Sequence, residues 1–220
     1  MQRPTSRFIK AGGGGIAAVA ALLLVTGQAA RTADHLDPPA RTDPAVDSTP
    51  DTPADIADVF TWYDATNVNF VITFAGPSSP TQPAFYDRDV LYTLNLSTQK
   101  AGTTADIPIT FRFGKGAGAN DFGIQASGIP GVTGTLEGPV ESTLTKSGVS
   151  LRAGLFDDPF FFDLQGFKDT KSTGTLMFNK TRNFFDGKND TAIVLSIPRA
   201  NFTTSNISAW FTTARFGGQL

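Results

Sequence analysis

Cysteine is absent from these 220 residues, and histidine occurs once, at His35. The first absence removes disulfide staples, thiol nucleophiles and thiolate metal ligands, so stability rests on packing. The second removes ordinary zinc sites, which need several His or Cys ligands. A histidine-based triad would have to bring His35 beside a serine, and no G-x-S-x-G elbow is present. Neither a P-loop nor a dinucleotide glycine fingerprint occurs; Gly114, Gly116 and Gly118 read as a glycine-rich hairpin tip. Glutamate is nearly missing too: of 20 acids only Glu137 and Glu141 are glutamate, and the rest are aspartate. Aspartate favours turns and loops because its short carboxylate bonds nearby backbone N–H groups, so the bias predicts many turns and few helices.

Residues 1–33 read as an export signal. Arg3, Arg7 and Lys10 form a basic start without an acid, and an apolar run follows from Ile16 to Val25. That run is shorter than the ~20 apolar residues of a spanning helix. Small residues at Gly27, Ala29, Ala30 and Ala33 make cleavage plausible after Ala30 or Ala33. No arginine pair for twin-arginine export and no lipoprotein cysteine is present, so a periplasmic or secreted location is expected, with no membrane span after cleavage. Four of the 18 basic residues and none of the 20 acids lie in this segment. The remainder therefore carries fourteen bases against twenty acids, a formal charge of −6. An acidic chain without a basic cluster argues against nucleic acid or an anionic membrane as partner.

Residues 34–58 are rich in proline and aspartate. Asp43, Asp47, Asp51 and Asp55 recur at helical spacing, but Pro38, Pro39, Pro44, Pro50 and Pro53 forbid a helix across most of the run. The expectation is an extended arm, either a flexible leader or a strap that supplies ligands to a site, with one helical turn near Ala54 to Asp58. From residue 59 to 220 short strand signals alternate with Gly, Pro, Asn and Asp, and one domain is expected. The strands read as Val59–Tyr63, Asn69–Phe74, Val90–Leu96, Ile107–Phe113, Gly123–Ala126, Val132–Leu136, Val149–Phe156, Gly174–Asn179, Ala192–Ile197 and Ile207–Ala214. Ile107, Ile109, Phe111 and Phe113 share one face, with Thr110 and Arg112 on the other. Roughly ten short strands without a long helical period predict an all-β fold, an antiparallel β-sandwich or jelly-roll-like arrangement. Pro198 to Phe202 could hold a short helical turn.

Carboxylates are the chemistry that remains. The segment Gly154–Phe167, GLFDDPFFFDLQGF, sets Asp157, Asp158 and Asp163 among five phenylalanines. Those rings need apolar cover on more than one side, while the aspartates need water, backbone donors or a cation. The segment reads as a plug against the core. Asp87 and Asp89 stand two apart beside a strand, and with the three aspartates they could bind a hard cation, calcium being the candidate. His35 and Asp37 could join as further ligands from the arm. Cleavage leaving Ala33 first would instead let His35 and the new amine hold Cu(II) or Ni(II), although Thr32 is unfavourable at the last signal position. Asp186 to Asp190 resembles a calcium loop superficially, lacks the EF-hand spacing, and reads as a hairpin turn. Aspartate pairs also serve glycoside hydrolysis, for which sequence does not supply the carboxyl separation.

The motifs DHLDPPARTDPAVDSTPD (34–51), ADIADVFTWYD (54–64), PAFYDRDVLYTL (83–94), ITFRFG (109–114), GLFDDPFFFDLQGF (154–167) and NDTAIVLSIPRA (189–200) resemble the exported bacterial family catalogued as domain of unknown function 4331. That family has no established activity, cofactor or catalytic residue. The resemblance therefore implies an envelope or secreted location and no mechanism. Two functional expectations stand. One is a non-enzymatic binding or structural domain of the cell envelope with an extracellular or envelope ligand, with calcium as an optional ion. The other is an aspartate-dependent hydrolase of carbohydrate or phosphoester.

Overall fold

Alternation of apolar and polar residues along the strands is matched by alternation of burial. In the computed structural model, which describes residues 38–43, 45–99 and 102–217, ten strands form two five-stranded antiparallel sheets. The first sheet contains β1 (Ile56–Tyr63), β2 (Asn67–Ser78), β7 (Leu144–Lys146), β8 (Val149–Asp157) and β9 (Asn189–Pro198), in the order β1-β2-β9-β8-β7. The second contains β3 (Val90–Ser97), β4 (Ile107–Lys115), β5 (Phe122–Ser127), β6 (Thr135–Pro139) and β10 (Ser208–Arg215), in the order β10-β3-β4-β5-β6. The architecture is a β-sandwich, and much of it is meander: β3 to β6 pair in succession, as do β7 to β9. At the two open edges β1 approaches β10 and β6 approaches β7.

The inward faces supply the core. Phe70, Ile72 and Phe74 of β2 and Ile193, Leu195 and Ile197 of β9 meet Tyr92, Leu94, Leu96, Ile109 and Phe111 of the other sheet, all fully buried. Burial of each such side chain contributes roughly 1.5–3 kcal/mol. Aromatic rings cross the interface between sheets: Phe74 and Tyr92 lie 4.4 Å apart, and Tyr92 meets Phe113 edge-on at 5.7 Å. The edge-on pair falls within the ~4.5–7 Å favoured by aromatic rings, and the tilted pair sits at its lower edge.

The proline-rich arm is a strap from residue 38 onward. Its Ala40 and Pro50 form a bridge, and the loop between them is held by Asp43 and Asp47, which accept the amides of Ala45 and Thr49. Thr52–Ala54 makes one 3-10 turn, and β1 starts at Ile56, inside the stretch that sequence assigned to the arm. The turn is stitched to three strands. The Tyr92 hydroxyl donates to the Pro53 carbonyl, Thr213 donates to Ala54 at 2.8 Å, and the Ala75 amide donates to Asp55 at 3.0 Å. Residues 1–37, with the expected signal, His35 and Asp37, lie outside the described residues.

Three sequence expectations need correction. Gly174–Asn179 is not a strand; a ten-residue helix, α1 (Leu164–Thr173), precedes it, and the following residues fold back over that helix. The strand expected at Val132–Leu136 starts later, at Thr135, because Gly128, Gly131 and Gly134 all adopt positive φ and spend the preceding residues on turns. The turn at Asp186–Asp190 closes a long insertion rather than a tight hairpin. Asp157 pairs directly with Asn189, so residues 158–188 leave and rejoin the sheet at adjacent positions.

That insertion also changes the reading of the phenylalanine segment. Its rings form a satellite cluster: Phe162 touches Phe160, Phe167 and Phe178 at 6.2, 5.6 and 6.4 Å, and Phe160 meets Phe185 edge-on at 5.2 Å. None of these rings belongs to the main core, and Phe161 remains 57% exposed. The segment is a self-packed appendage of the sandwich and not a plug in its centre.

Candidate functional site

The structure gives the candidate aspartates separate tasks. Asp163 caps α1. Its Oδ1 accepts the Gly166 amide at 2.9 Å, and its Oδ2 accepts the Asn179 amide at 2.7 Å and Arg182 at 2.8 Å. Burial pushes its pKa up, but the two amides and the guanidinium outweigh that and hold it below the usual carboxylate range. Asp158 is buried and accepts the Phe160 amide at 2.9 Å, while Asp157 is exposed at the end of β8. Asp87 belongs to another part of the molecule. It accepts the Asp89 amide at 2.9 Å and Arg215 at 2.8 Å. Asp89 pairs with Arg88 at 3.5 Å on the surface. Among the described residues no three His, Asp or Glu side chains come together in a manner that could hold a metal ion.

Two clusters, one centred on Arg215 and one on Glu141, were not legible in sequence. Arg215, near the C-terminal end of β10, is shared between Asp51 of the strap and Asp87. For Asp87, burial raises the pKa, and the Arg215 hydrogen bond, the Asp89 amide and the positive charges of Arg215 and Arg41 more than offset it, leaving it lowered. Glu141 accepts the Tyr86 hydroxyl at 2.6 Å and the Leu155 amide at 3.0 Å, with Arg152 at 3.7 Å. A Cβ on Gly154 would lie 2.4 Å from the Glu141 carboxylate, so a larger residue there would push that carboxylate aside. Burial, then the Glu141 hydrogen bond and charge, push the Tyr86 phenol well above its ordinary value. These groups are engaged with internal partners, which ties strap, strands and loops together.

An opening of a different kind lies where the end of β1 faces the β9–β10 connection. This groove of about 640 Å³ is lined by Thr61, Trp62, Tyr63, Val68, Arg199, Ala200, Phe202, Thr203, Thr204, Ser205 and Ile207. Its volume lies in the usual range for small-molecule sites. Trp62 is 49% exposed and Tyr63 72%, although large aromatic rings are ordinarily covered. The Arg199 guanidinium stands over the Tyr63 ring at 5.1 Å and donates to the Asp64 carbonyl at 3.1 Å.

The wall carrying the two rings is fixed by Asp64. Its carboxylate accepts the amides of Thr66 and Asn67, each at 2.8 Å, the Thr66 hydroxyl at 3.0 Å and the Asn69 side chain at 3.2 Å. Those bonds, the Thr66 amide first, drive its pKa far below the ordinary value. On the opposite wall the Thr204 hydroxyl accepts the Asn206 amide at 3.1 Å, and Asn201 anchors to the Pro130 carbonyl at 2.9 Å. Apart from Tyr63, Arg199 is the groove's only titratable lining residue. Aromatic faces, hydroxyls and one guanidinium can bind a ligand with apolar faces and polar edges, but they supply no carboxylate pair for acid–base chemistry. A more open hollow of about 340 Å³ beside Asp87 and Asp89 is flanked by Arg88 and Lys115, which offset its carboxylates.

Trp62 and Tyr63 escaped the sequence reading because a period-2 strand with aromatic residues ordinarily predicts core. The one signal was position: WYDATN ends a strand, where side chains pass beyond the cover of the second sheet. No family model, no curated protein and no solved structure matches the chain.

Proposed function

We propose that the chain is an exported, non-enzymatic binding domain of the cell envelope that holds a neutral carbohydrate in the Trp62–Tyr63 groove. The observation that carries this reading is the groove's lining: Trp62 and Tyr63, both exposed at the end of β1, with hydroxyls and one guanidinium across from them and no lining carboxylate. Pyranose rings present apolar C–H faces to aromatic planes and hydroxyl edges to Thr203, Thr204, Ser205 and Arg199. The Asp64 hydrogen bonds hold the turn that follows the rings, and a backbone fixed before binding reduces the entropy lost on association. The basic-then-apolar N-terminus and the resemblance to domain of unknown function 4331 support the exported placement. Calcium has no part in this reading.

The test is titration with soluble cello-, malto- and chito-oligosaccharides, followed by tryptophan fluorescence and calorimetry. A saturable signal that weakens at least about tenfold in Trp62→Ala, a loss of ~1.4 kcal/mol, supports the groove. Binding untouched by Trp62→Ala, or no binding across the panel, rejects it. Release of new reducing ends on long incubation, abolished by Asp87→Asn or Asp157→Asn, would favour the aspartate-dependent hydrolase instead.

A further inference from the structure

Half of the large exposed apolar side chains of the described residues fall in one place. Of ten, five lie in the β8–β9 insertion: Phe161, Phe167, Leu176, Met177 and Phe178, between 40% and 76% exposed. Phe167, Met177 and Phe178 are tied together in space as well as in sequence. Phe167 and Phe178 both pack on Phe162, and the Met177 amide donates to the Thr170 hydroxyl of α1 at 2.9 Å, which folds residues 174–178 over the helix. Clusters of this kind on a soluble domain mark interaction surfaces.

The charge around the cluster is opposite to that of the chain. Lys168, Lys171 and Lys180 are exposed and form no ion pair among the described residues, and the Lys171 ammonium stands 5.6 Å over the Phe167 ring. Across the insertion, residues 158–188, five bases stand against four acids: Asp163 and Arg182 neutralise each other at 2.8 Å, Asp169 accepts from Gln165 at 2.7 Å, Asp158 is buried, and Asp186 and Lys188 lie at its far end. The net acidity of the chain therefore averages over a local basic rim.

We infer that this face docks on the surface of an anionic phospholipid bilayer. The aromatic, leucine and methionine side chains would enter the headgroup–acyl boundary while the three lysines meet lipid phosphates, the division of labour of interfacial elements. A second copy of the chain fits less well, since an isologous contact would set Lys168, Lys171 and Lys180 against their own copies. This inference is independent of the carbohydrate groove, which is built from other elements.

Co-sedimentation of the full chain with vesicles tests it, comparing about one-third phosphatidylglycerol in phosphatidylcholine with phosphatidylcholine alone. The apolar run at 16–25 can itself bind lipid, so the variants decide. Lys168→Glu/Lys171→Glu/Lys180→Glu and, separately, Leu176→Ser/Phe178→Ser should each lower the partition coefficient on anionic vesicles at least about tenfold. Roughly 0.5 M salt should weaken wild type and narrow its advantage over the lysine variant. All five positions are exposed, and an unchanged melting curve verifies folding. Equal binding by wild type and both variants overturns the inference. So does a concentration-dependent dimer in light scattering that Leu176→Ser/Phe178→Ser abolishes without any change in lipid binding.

Discussion

The Asp51 carboxylate accepts the Arg215 Nε–H at 2.6 Å across 164 residues of sequence, joining the strap to the last strand. Both side chains are largely removed from water, at 3% and 12% exposure, and Arg215 reaches Asp87 as well. Two carboxylates sharing one guanidinium keep the buried arginine charged; the Asp51 hydrogen bond leads in raising its pKa. Removing Asp51 leaves Asp87 as its remaining ion-pair partner among the described residues, whereas removing Arg215 leaves two acids facing each other.

Arg215→Ala should therefore destabilise more than Asp51→Ala. The expected loss for Arg215→Ala is about 3–5 kcal/mol, the cost of leaving a buried charge without its partner. Urea denaturation of both single variants and the double variant measures this, and the double variant should cost less than the sum. Additive losses would mean that the pair does not interact.

The same cluster fixes the sign of one pH effect. Asp87 has a folded pKa below its unfolded value, so its contribution is present above the unfolded pKa of about 3.9. It is lost as pH falls through the depressed folded value. Asp87→Asn should flatten the acid limb of the stability curve below about pH 4 and leave its shape near neutrality unchanged. Melting temperature against pH reads both.

How far the sequence carried depends on whether local pattern or long-range pairing made each feature. Ile107 to Phe113 alternates strictly, and β4 runs from Ile107 to Lys115 with Ile109, Phe111 and Phe113 buried. The prolines excluded a helix across most of the arm, and none forms among the described residues of 38–50. Helix α1 was invisible because LQGFKDTKST has a weak apolar stripe and a glycine inside it. It is specified instead by its ends. Asp163 caps the start, Gly174 closes it at φ 71°, and Gly166 leaves space for the cap, since a Cβ there would stand 2.3 Å from Asp163 Oδ2. The partners of Asp163 and Asp87, Arg182 and Arg215, lie 19 and 128 residues away, and no local spacing announces them. The groove was missed for a related reason: it forms where the end of β1 meets the β9–β10 connection, far away in sequence.

Asp163→Ala should unfold the insertion without unfolding the sandwich. The carboxylate joins the start of α1, Asn179 and Arg182, and the rings it organises lie outside the main core. Hydrogen exchange should accelerate across residues 160–185 while β3, β4 and β9 keep their protection. Gly166→Ala should give the same regional pattern by displacing the cap. A uniform loss of protection in either variant would show that insertion and core unfold as one unit.

Chelator and calcium provide a separate discrimination. Because Asp163 and Asp87 already satisfy arginines, chelation followed by added calcium should leave the melting temperature unchanged. A calcium-dependent rise reversed by chelator, and removed by Asp158→Ala, would establish a cation site and return the aspartates to the centre of the function.

Asp64 connects the fold to the proposed binding groove. It holds the β1–β2 turn with four hydrogen bonds but does not line the groove, so its effect on a ligand must pass through the placement of Trp62 and Tyr63. Asp64→Ala should weaken oligosaccharide binding while every lining side chain remains present, mainly by loosening a preorganised wall. Asp64→Asn keeps one acceptor oxygen and should retain more of the affinity. The folded pKa is depressed, so acid should loosen the turn only below the unfolded value of about 3.9, as pH falls through the folded one. Calorimetry of both variants at neutral pH, with exchange rates of the Thr66 and Asn67 amides, separates the possibilities. Faster exchange with unchanged affinity would show that the hairpin need not be rigid for the groove to work.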